Sequence, residues 1–142
     1  MNDMRYKEGA GFTITSSGAQ TLKYSQEGLK SPVLLNTMPL IRLPEMYYIL
    51  AECTDDLEES AALISTVREA RGIEDVSFAN ETEKMNHIEK EYRKEFYAEG
   101  QLWYFYKRLG YETFLYCPVD KMVEANYRFA IPDDETILGN IN

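Results

Sequence analysis

The chain has 142 residues, of which 44% are hydrophobic and 27% are charged, so it is long and apolar enough for one domain with a core, and global disorder is excluded. A formal net charge of −9 argues against nucleic acids and anionic membrane surfaces as partners, because both would repel it. No apolar run has the length of a membrane-spanning helix, and the first eight residues are too polar for a secretory signal. Taken alone, the chain is expected to be soluble.

Residues 1–40 lack helical periodicity, and four glycines among Ser and Thr residues indicate turns. Brief alternation predicts short strands at Phe12–Thr15 and Thr21–Tyr24. An irregular stretch of this length is unusual in a compact domain unless it packs against something else. We therefore expect the chain to be part of a longer protein.

The first helix is predicted to begin near Pro44, since proline is tolerated in a first turn and Glu45 suits the positive end of the helix dipole. Its predicted apolar face consists of Met46, Ile49, Leu50 and Cys53. On that face Cys53 would pack as a small hydrophobic residue. The alternative, a Cys53–Cys117 disulfide, is left open by the sequence.

A second helix is predicted over Leu57–Arg71, with Gly72 as its left-handed stop. Its apolar stripe consists of Leu57, Ala61, Ile64 and Val67. The short turn Thr54–Asp56 between the first two helices requires them to lie antiparallel, as a helical hairpin.

A third helix is predicted after Asn80, which is expected to be its N-cap together with Glu83. Its apolar side carries Met85, Ile88, Tyr92 and Phe96. We expect it to bend at Gly100 and to continue as a fourth helix that stops at Gly110 and carries Leu102, Trp103, Tyr106 and Leu109. The two predicted hairpins start about 38 residues apart, close to the tetratricopeptide period of about 34.

Residues 111–142 are predicted to be irregular, with a short strand at Arg128–Ile131. The fold class expected is therefore mainly α, with tetratricopeptide-like helical hairpins over 41–110, long irregular flanks over 1–40 and 111–142, and a few short strands. Trp103, Phe96 and Tyr92 are expected to anchor the core between the hairpins.

No residue pattern in the chain indicates an active site. His87, the only histidine, lies among polar residues and is expected on a solvated face. The acidic run Asp133–Glu135 is expected to form an exposed turn rather than a calcium site. No nucleophile, phosphate-loop or dinucleotide motif is present. We predict no catalytic residue, no metal site and no cofactor.

Three glutamates recur at i, i+4 and i+8 and are predicted to share one helical face: Glu91, Glu95 and Glu99. Arg93 and Lys94 lie close by, and Arg108 could fold back toward the row. A structural ion-pair network is the favoured interpretation. The alternative is a pair of carboxylates for glycoside hydrolysis.

Several segments, in order along the chain, resemble the SusD/RagB family of outer-membrane nutrient-binding proteins. They are Asp3–Arg5, Lys23–Tyr24, Pro39–Glu52, Val67–Gly72, Glu91–Gly110 and Phe129–Glu135. The chain departs from the family pattern at Leu102 and Phe105, where the family often has Arg and Asp around the tryptophan. Pro44 stands where alanine is usual.

The resemblance implies that the chain is the C-terminal segment of a SusD-like domain in a longer, lipid-anchored protein on the outer membrane of Bacteroidetes. It implies a non-catalytic protein that binds a glycan or a related nutrient beside a SusC-like TonB-dependent transporter, with no nucleic-acid partner. No ligand-binding residue follows from the resemblance. The alternative function is a soluble tetratricopeptide-like adaptor that binds other proteins, although the irregular flanks argue against a continuous solenoid.

Overall fold

The computed structural model describes residues 3–9, 11–26, 35 and 37–132, and this part of the chain is mainly helical, as predicted. Its elements are β1 (Phe12–Thr15), β2 (Gly18–Thr21), α1 (Leu43–Cys53), α2 (Leu57–Glu69), α3 (Glu81–Glu95) and α4 (Gln101–Leu109), with 3₁₀ turns at Met4–Tyr6 and Glu124–Tyr127. The chain divides into two compact units, residues 1–98 and 99–142, which are described separately.

In the first unit, β1 and β2 form an antiparallel hairpin in which Phe12 pairs with Thr21 and Thr15 pairs with Gly18. The prediction for β1 is confirmed, but the predicted second strand at 21–24 is wrong because the return strand begins three residues earlier. A two-residue turn and the positive φ of Gly18 (118°) reverse the chain at once. The Thr15 hydroxyl also donates to the Gly18 carbonyl at 2.8 Å.

Helix α1 has proline in its first turn, as predicted, but the predicted buried face is wrong. Tyr48 and Ala51 are fully buried, whereas Leu50 is 57% exposed and Cys53 is exposed with a free thiol. The reason is that α1 packs against both α2 and α3, and these helices cover the face that carries the tyrosine. Apolar periodicity alone could not show which face the neighbouring helices cover.

Helix α2 follows the prediction closely. Asp56 caps it by accepting hydrogen bonds from the backbone of Glu58 (2.8 Å) and Glu59 (3.2 Å). The predicted stripe lies against the core, and Gly72 has the expected positive φ of 73°. The buried Ser60 hydroxyl donates to the carbonyl of Ala51 at 2.8 Å, which joins α2 to α1.

Helix α3 begins after the predicted N-cap, since the Asn80 side chain accepts from the Glu83 backbone at 3.0 Å. Its predicted apolar face is confirmed at Ile88, Tyr92 and Phe96, which are all buried. The Tyr92 ring lies 5.1 Å from Phe96 and 5.4 Å from Tyr48 of α1. This aromatic cluster is the centre of the core between α1 and α3.

The amino group of Lys84 on α3 lies against the C-terminal end of α1, a contact that the sequence did not predict. Lys84 is 1% exposed, and its ammonium donates to the carbonyls of Glu52 (3.3 Å) and Thr54 (2.8 Å). It also pairs with Glu81 at 2.9 Å. A cation at a helix C-terminus satisfies carbonyls that have no partner within the helix.

Replacing Lys84 by methionine is expected to destabilise the fold by about 1–3 kcal/mol, because the carbonyls of Glu52 and Thr54 lose a donor that is itself buried. Lys90→Met, at an exposed position of the same helix, is the control and is expected to change stability by less than about 0.5 kcal/mol. Urea denaturation of both variants measures the difference. If both variants change the free energy of unfolding equally, water replaces the Lys84 ammonium without an energetic cost.

The second unit is built around α4, whose ends at Gly100 and Gly110 are confirmed; both glycines are left-handed, with φ of 90° and 65°. Its core contains Phe105, Tyr106, Met122 and Tyr127. The expectation that Trp103 is a core anchor is corrected, because its side chain is only half-buried. Phe105, two residues further along α4, is buried instead.

Two further predictions concern the second unit. The strand predicted at Arg128–Ile131 is wrong: a 3₁₀ turn precedes it and the backbone there forms no ladder. The acidic run at 133–135 lies outside the described residues.

The pairing of the third and fourth helices as a hairpin stays a prediction, as does the division of the chain into 1–40, 41–110 and 111–142. None of the described helices combines the length and apolarity needed to span a membrane.

Candidate functional site

The most concentrated chemistry in the described structure is a group of charged residues around the C-terminal half of α3. Glu91 and Glu95 lie one helical turn apart, and their side chains are only 1% and 3% exposed. We call this group the ion-pair cluster; its members are Asp3, Arg5, Arg42, Arg68, Arg71, Glu91, Lys94 and Glu95.

Glu91 is held by cations from three segments of the chain. Its Oε1 accepts from Arg68 Nη1 at 2.8 Å and from Lys94 Nζ at 3.0 Å. Its Oε2 accepts from Arg5 Nη2 at 2.9 Å. Charge-assisted hydrogen bonds thus reach both oxygens, which is the condition under which a buried carboxylate is tolerated.

Glu95 is surrounded more completely. Its Oε1 accepts from Arg42 Nη1 at 2.5 Å and from Arg71 Nη2 at 2.9 Å. Its Oε2 accepts from Arg71 Nε and Arg5 Nη1, both at 3.2 Å. Three guanidinium groups therefore converge on one carboxylate, and Arg71 binds it with two nitrogens.

Arg5 connects all three carboxylates of the cluster. Besides both glutamates, it binds Asp3, whose Oδ1 accepts from the Arg5 backbone (3.1 Å) and Nε (2.9 Å) and whose Oδ2 accepts from Nη2 (2.9 Å). The N-terminal segment is thereby attached to α3, with a further hydrogen bond from the Met4 backbone to the Arg71 carbonyl at 3.0 Å. The cluster therefore joins segments that are far apart in sequence.

The charges of the cluster hold its carboxylates ionised. Burial by itself would raise the pKa of Glu95, but hydrogen bonds and charges from Arg71 and Arg42 lower it from 4.5 to about 2. The pKa values of Glu91 and Asp3 are also lowered; burial opposes this, and Arg5 is the main cause of the lowering in both cases. These groups are permanent anions at neutral pH.

Acid is expected to remove part of the stability of the first unit. Because the pKa of Glu95 is lower in the folded state than its ordinary 4.5, the unfolded chain takes up the proton first as the pH falls. The contribution of Glu95 is therefore complete above about pH 4.5 and is lost down to about pH 2, and it amounts to about 3 kcal/mol. A carboxyl ¹³C NMR titration of Glu95 tests this, and a midpoint near 4.5 would contradict it.

The cluster also explains why α3 ends at Glu95 rather than continuing to the bend predicted at Gly100. The backbone carbonyl of Glu95 accepts from Arg42 Nη2 at 2.7 Å and from the Lys23 ammonium. Ala98, three residues further on, has a positive φ of 61°. Side-chain cations thus take the place of the next helical N–H donor.

The predicted ion-pair network is confirmed for Glu91 and Glu95. Among the contacts of the described residues, Lys94 takes part as predicted, and Arg93 pairs with Glu89. The approach of Arg108 to the glutamates stays a prediction, because Arg108 belongs to the other unit. Glu99 follows the end of α3 and belongs to the other unit. Helical spacing could reveal neighbours on one helix, but not arginines brought in from other segments.

A signal for the missing arginines was nevertheless present in the sequence. Arg5, Arg42, Arg68 and Arg71 belong to three of the segments that resemble the SusD/RagB family, and the two glutamates belong to a fourth. Four separate segments of the resemblance therefore meet at one place in the fold.

His87 lies apart from this cluster. It is half-buried against the Phe78 ring at 5.3 Å, and its burial together with the charges of Lys90 and Arg68 lowers its pKa.

A second feature, in the unit 99–142, is a set of exposed rings around Trp103, which we call the aromatic surface. The Trp103 ring lies 5.0 Å from Tyr104 and 5.2 Å from Phe129, and the Lys107 ammonium lies 4.8 Å from its centre. Tyr104 is 66% exposed and Phe129 is 82% exposed. Large rings of this exposure are typical of binding surfaces rather than of cores.

A cleft of about 690 Å³ in the same unit continues from this surface, with Lys107 common to both. Its other lining residues include Tyr111, Glu112, Lys121 and Tyr127. The combination of rings with charged and hydroxyl groups can contact the apolar faces and the hydroxyl groups of a sugar.

The model of the SusD family matches residues 10–136 of the chain. The chain belongs to the SusD family. The match covers the helices and the flanks on both sides, including the segments that bring Arg42, Arg68 and Arg71 to the glutamates of α3. No curated protein and no solved structure matches the chain significantly.

Proposed function

We propose that this SusD-family chain belongs to a non-catalytic, cell-surface protein that binds a glycan and passes it to a TonB-dependent transporter of the outer membrane. The observation that carries the proposal is the family match over residues 10–136. A match to both irregular flanks as well as to the helices favours this function over a tetratricopeptide-like adaptor, in which helices would continue. The parent protein would be held at the outer membrane by a lipid anchor outside this segment.

The state of the two buried glutamates supports a binding role rather than glycoside hydrolysis. A general acid needs a raised pKa, whereas the pKa values of Glu91 and Glu95 are lowered. Their oxygens are also occupied by arginine and lysine donors. An assay for reducing ends released from a glycan that the protein binds is expected to show no turnover.

We propose the aromatic surface as part of the glycan site. Sugars present flat apolar faces that stack on rings, and the exposed rings of Tyr104 and Phe129 lie next to the partly buried Trp103 ring. The Lys107 ammonium and the adjoining cleft supply polar groups for the hydroxyls.

Trp103→Ala in the full-length protein is expected to weaken binding of its glycan at least tenfold and to destabilise the fold by only about 1–2 kcal/mol, because the ring is partly rather than fully buried. Isothermal titration calorimetry against a panel of oligosaccharides measures the binding. Phe78→Ala, a half-buried ring in the first unit, is the control and should leave binding unchanged. A stability loss of about 3–5 kcal/mol without a change in affinity would instead show that Trp103 acts as a core residue.

The transporter partnership needs a separate experiment. Affinity purification of the full-length protein from cross-linked outer membranes is expected to recover a TonB-dependent transporter. Recovery of the protein without any transporter, while glycan binding is intact, would contradict the partnership and leave the binding function standing.

A further inference from the structure

A cavity of about 290 Å³ lies beside the ion-pair cluster in the first unit. Its walls carry four cationic side chains, which are Arg5, Lys23, Arg71 and Lys94. Among the described residues that line it, Glu95 is the one carboxylate. Four cationic residues around one cavity are unexpected in a chain whose net charge is −9.

The cluster behind the cavity contains more positive than negative charge. In the described part of the chain, three carboxylates pair with the cations Arg5, Arg68, Arg71 and Lys94. These carboxylates are Asp3, Glu91 and Glu95. Four cations thus share three anions, and Glu95 is shared with Arg42 as well. Because these groups are largely removed from water, an additional anion at the cavity would be bound favourably.

Two of the lining cations have donors left for a ligand. Arg71 uses Nε and Nη2 on Glu95, and the described residues provide no partner for its Nη1. Among the described residues, Lys94 pairs with Glu91, which uses one of the three N–H groups of its ammonium. Their side chains are 28% and 18% exposed, so a ligand in the cavity can reach them.

The cavity also has an aromatic wall. Tyr97 lines it, and its hydroxyl donates to the Gly11 carbonyl at 3.0 Å, which fixes the ring against the N-terminal segment. The Lys23 ammonium lies 4.7 Å from the centre of this ring. A ring beside cations suits a ligand that combines an apolar face with a negative charge.

We propose that this cavity binds the carboxylate-bearing sugar unit of an acidic glycan, a hexuronate, with Arg71 and Lys94 on the carboxylate and Tyr97 beside the sugar ring. The proposal rests on the glycan-binding function and names the class of glycan. A planar carboxylate matches the guanidinium fork better than a point anion does. The volume lies at the small end of ligand pockets, about 300–1,000 Å³, and suits one sugar ring rather than a chain.

The test is calorimetric titration of the full-length protein with galacturonate, and with galactose as the matched uncharged ligand, at constant ionic strength. We expect saturable binding of galacturonate and at least tenfold weaker binding of galactose. Lys94→Met should weaken galacturonate binding at least tenfold, because it removes a cavity cation while Glu91 keeps its bonds to Arg5 and Arg68. Lys90→Met, at an exposed position of α3 that lines neither the cavity nor the cleft, is the control and should leave galacturonate binding unchanged.

Lys23→Met serves as the second variant if Lys94→Met does not fold, with folding checked by circular dichroism. Equal binding of galacturonate and sulfate would overturn the proposal in favour of a general anion site, and no saturable binding of galacturonate would also overturn it. Binding of neutral oligosaccharides, measured in the same preparations, separates the two proposals. If it persists while galacturonate fails, the glycan-binding function stands and only the hexuronate site is rejected.

Discussion

Glu95→Gln is expected to destabilise the first unit by about 3–5 kcal/mol, because it removes one partner of a buried ion-pair cluster. Glutamine has nearly the shape of glutamate, so the effect reports on charge and hydrogen bonding rather than on a cavity. One side-chain oxygen would lose its negative charge, and the other would be replaced by an NH₂ group facing the donors of Arg5 and Arg71. Three arginines would keep their charge with less compensation.

The matched control is Glu81→Gln on the same helix. Glu81 also forms an ion pair, with Lys84 at 2.9 Å, but its side chain is 62% exposed, so the expected cost is below about 1 kcal/mol. Hydrogen-exchange mass spectrometry of peptides from α3 in the full-length protein measures both variants locally. A cost for Glu95→Gln as small as that of the control would falsify the structural role of the cluster.

A double variant tests whether the cluster acts as one unit. Glu91 and Glu95 share Arg5, which binds them at 2.9 and 3.2 Å. The cost of the two Gln substitutions together should therefore differ from the sum of the single costs by about 0.5–3 kcal/mol. Additive costs would indicate two independent ion pairs.

The second large effect is expected for Phe96→Ala, at about 3–5 kcal/mol, because the ring is 1% exposed and its removal leaves a cavity in the core. Phe96 meets Tyr92 at 5.1 Å and Tyr48 at 6.1 Å, and its ring lies 4.9 Å from the Arg42 guanidinium. The substitution therefore removes contacts to α1 and to one cation of the cluster. Amides in α1 and α3 are expected to exchange more than a hundredfold faster.

Phe129→Ala is the control for this prediction. It deletes the same ring from a position that is 82% exposed, so its effect on stability is expected within about 0.5 kcal/mol. If the aromatic surface binds glycan, this variant should lose affinity while it keeps stability. Phe96→Ala, by contrast, should lose stability. Equal stability losses in the two variants would mean that one of the rings is misplaced.

Local sequence signals were sufficient for the ends of most helices. Proline in the first turn of α1, the N-cap Asn80 and the left-handed glycines at 72 and 110 act through backbone geometry within a few residues. The prediction of the buried apolar stripe of α2 was also correct, because the apolar residues of this helix form one clear face. These features are determined by the sequence itself, because no distant segment is needed to satisfy them.

The tertiary structure decided which surfaces are covered and which charges meet. Leu50 and Cys53 are apolar yet exposed, because the neighbours of α1 cover its tyrosine face. The end of α3 at Glu95 depends on Arg42 and Lys23, which lie far away in sequence. The charged motifs were visible in the sequence as separate segments, but only folding brings their arginines onto two glutamates. Ion pairing acts over a few ångströms in space, so sequence spacing indicates partners within one helix but not partners from distant segments.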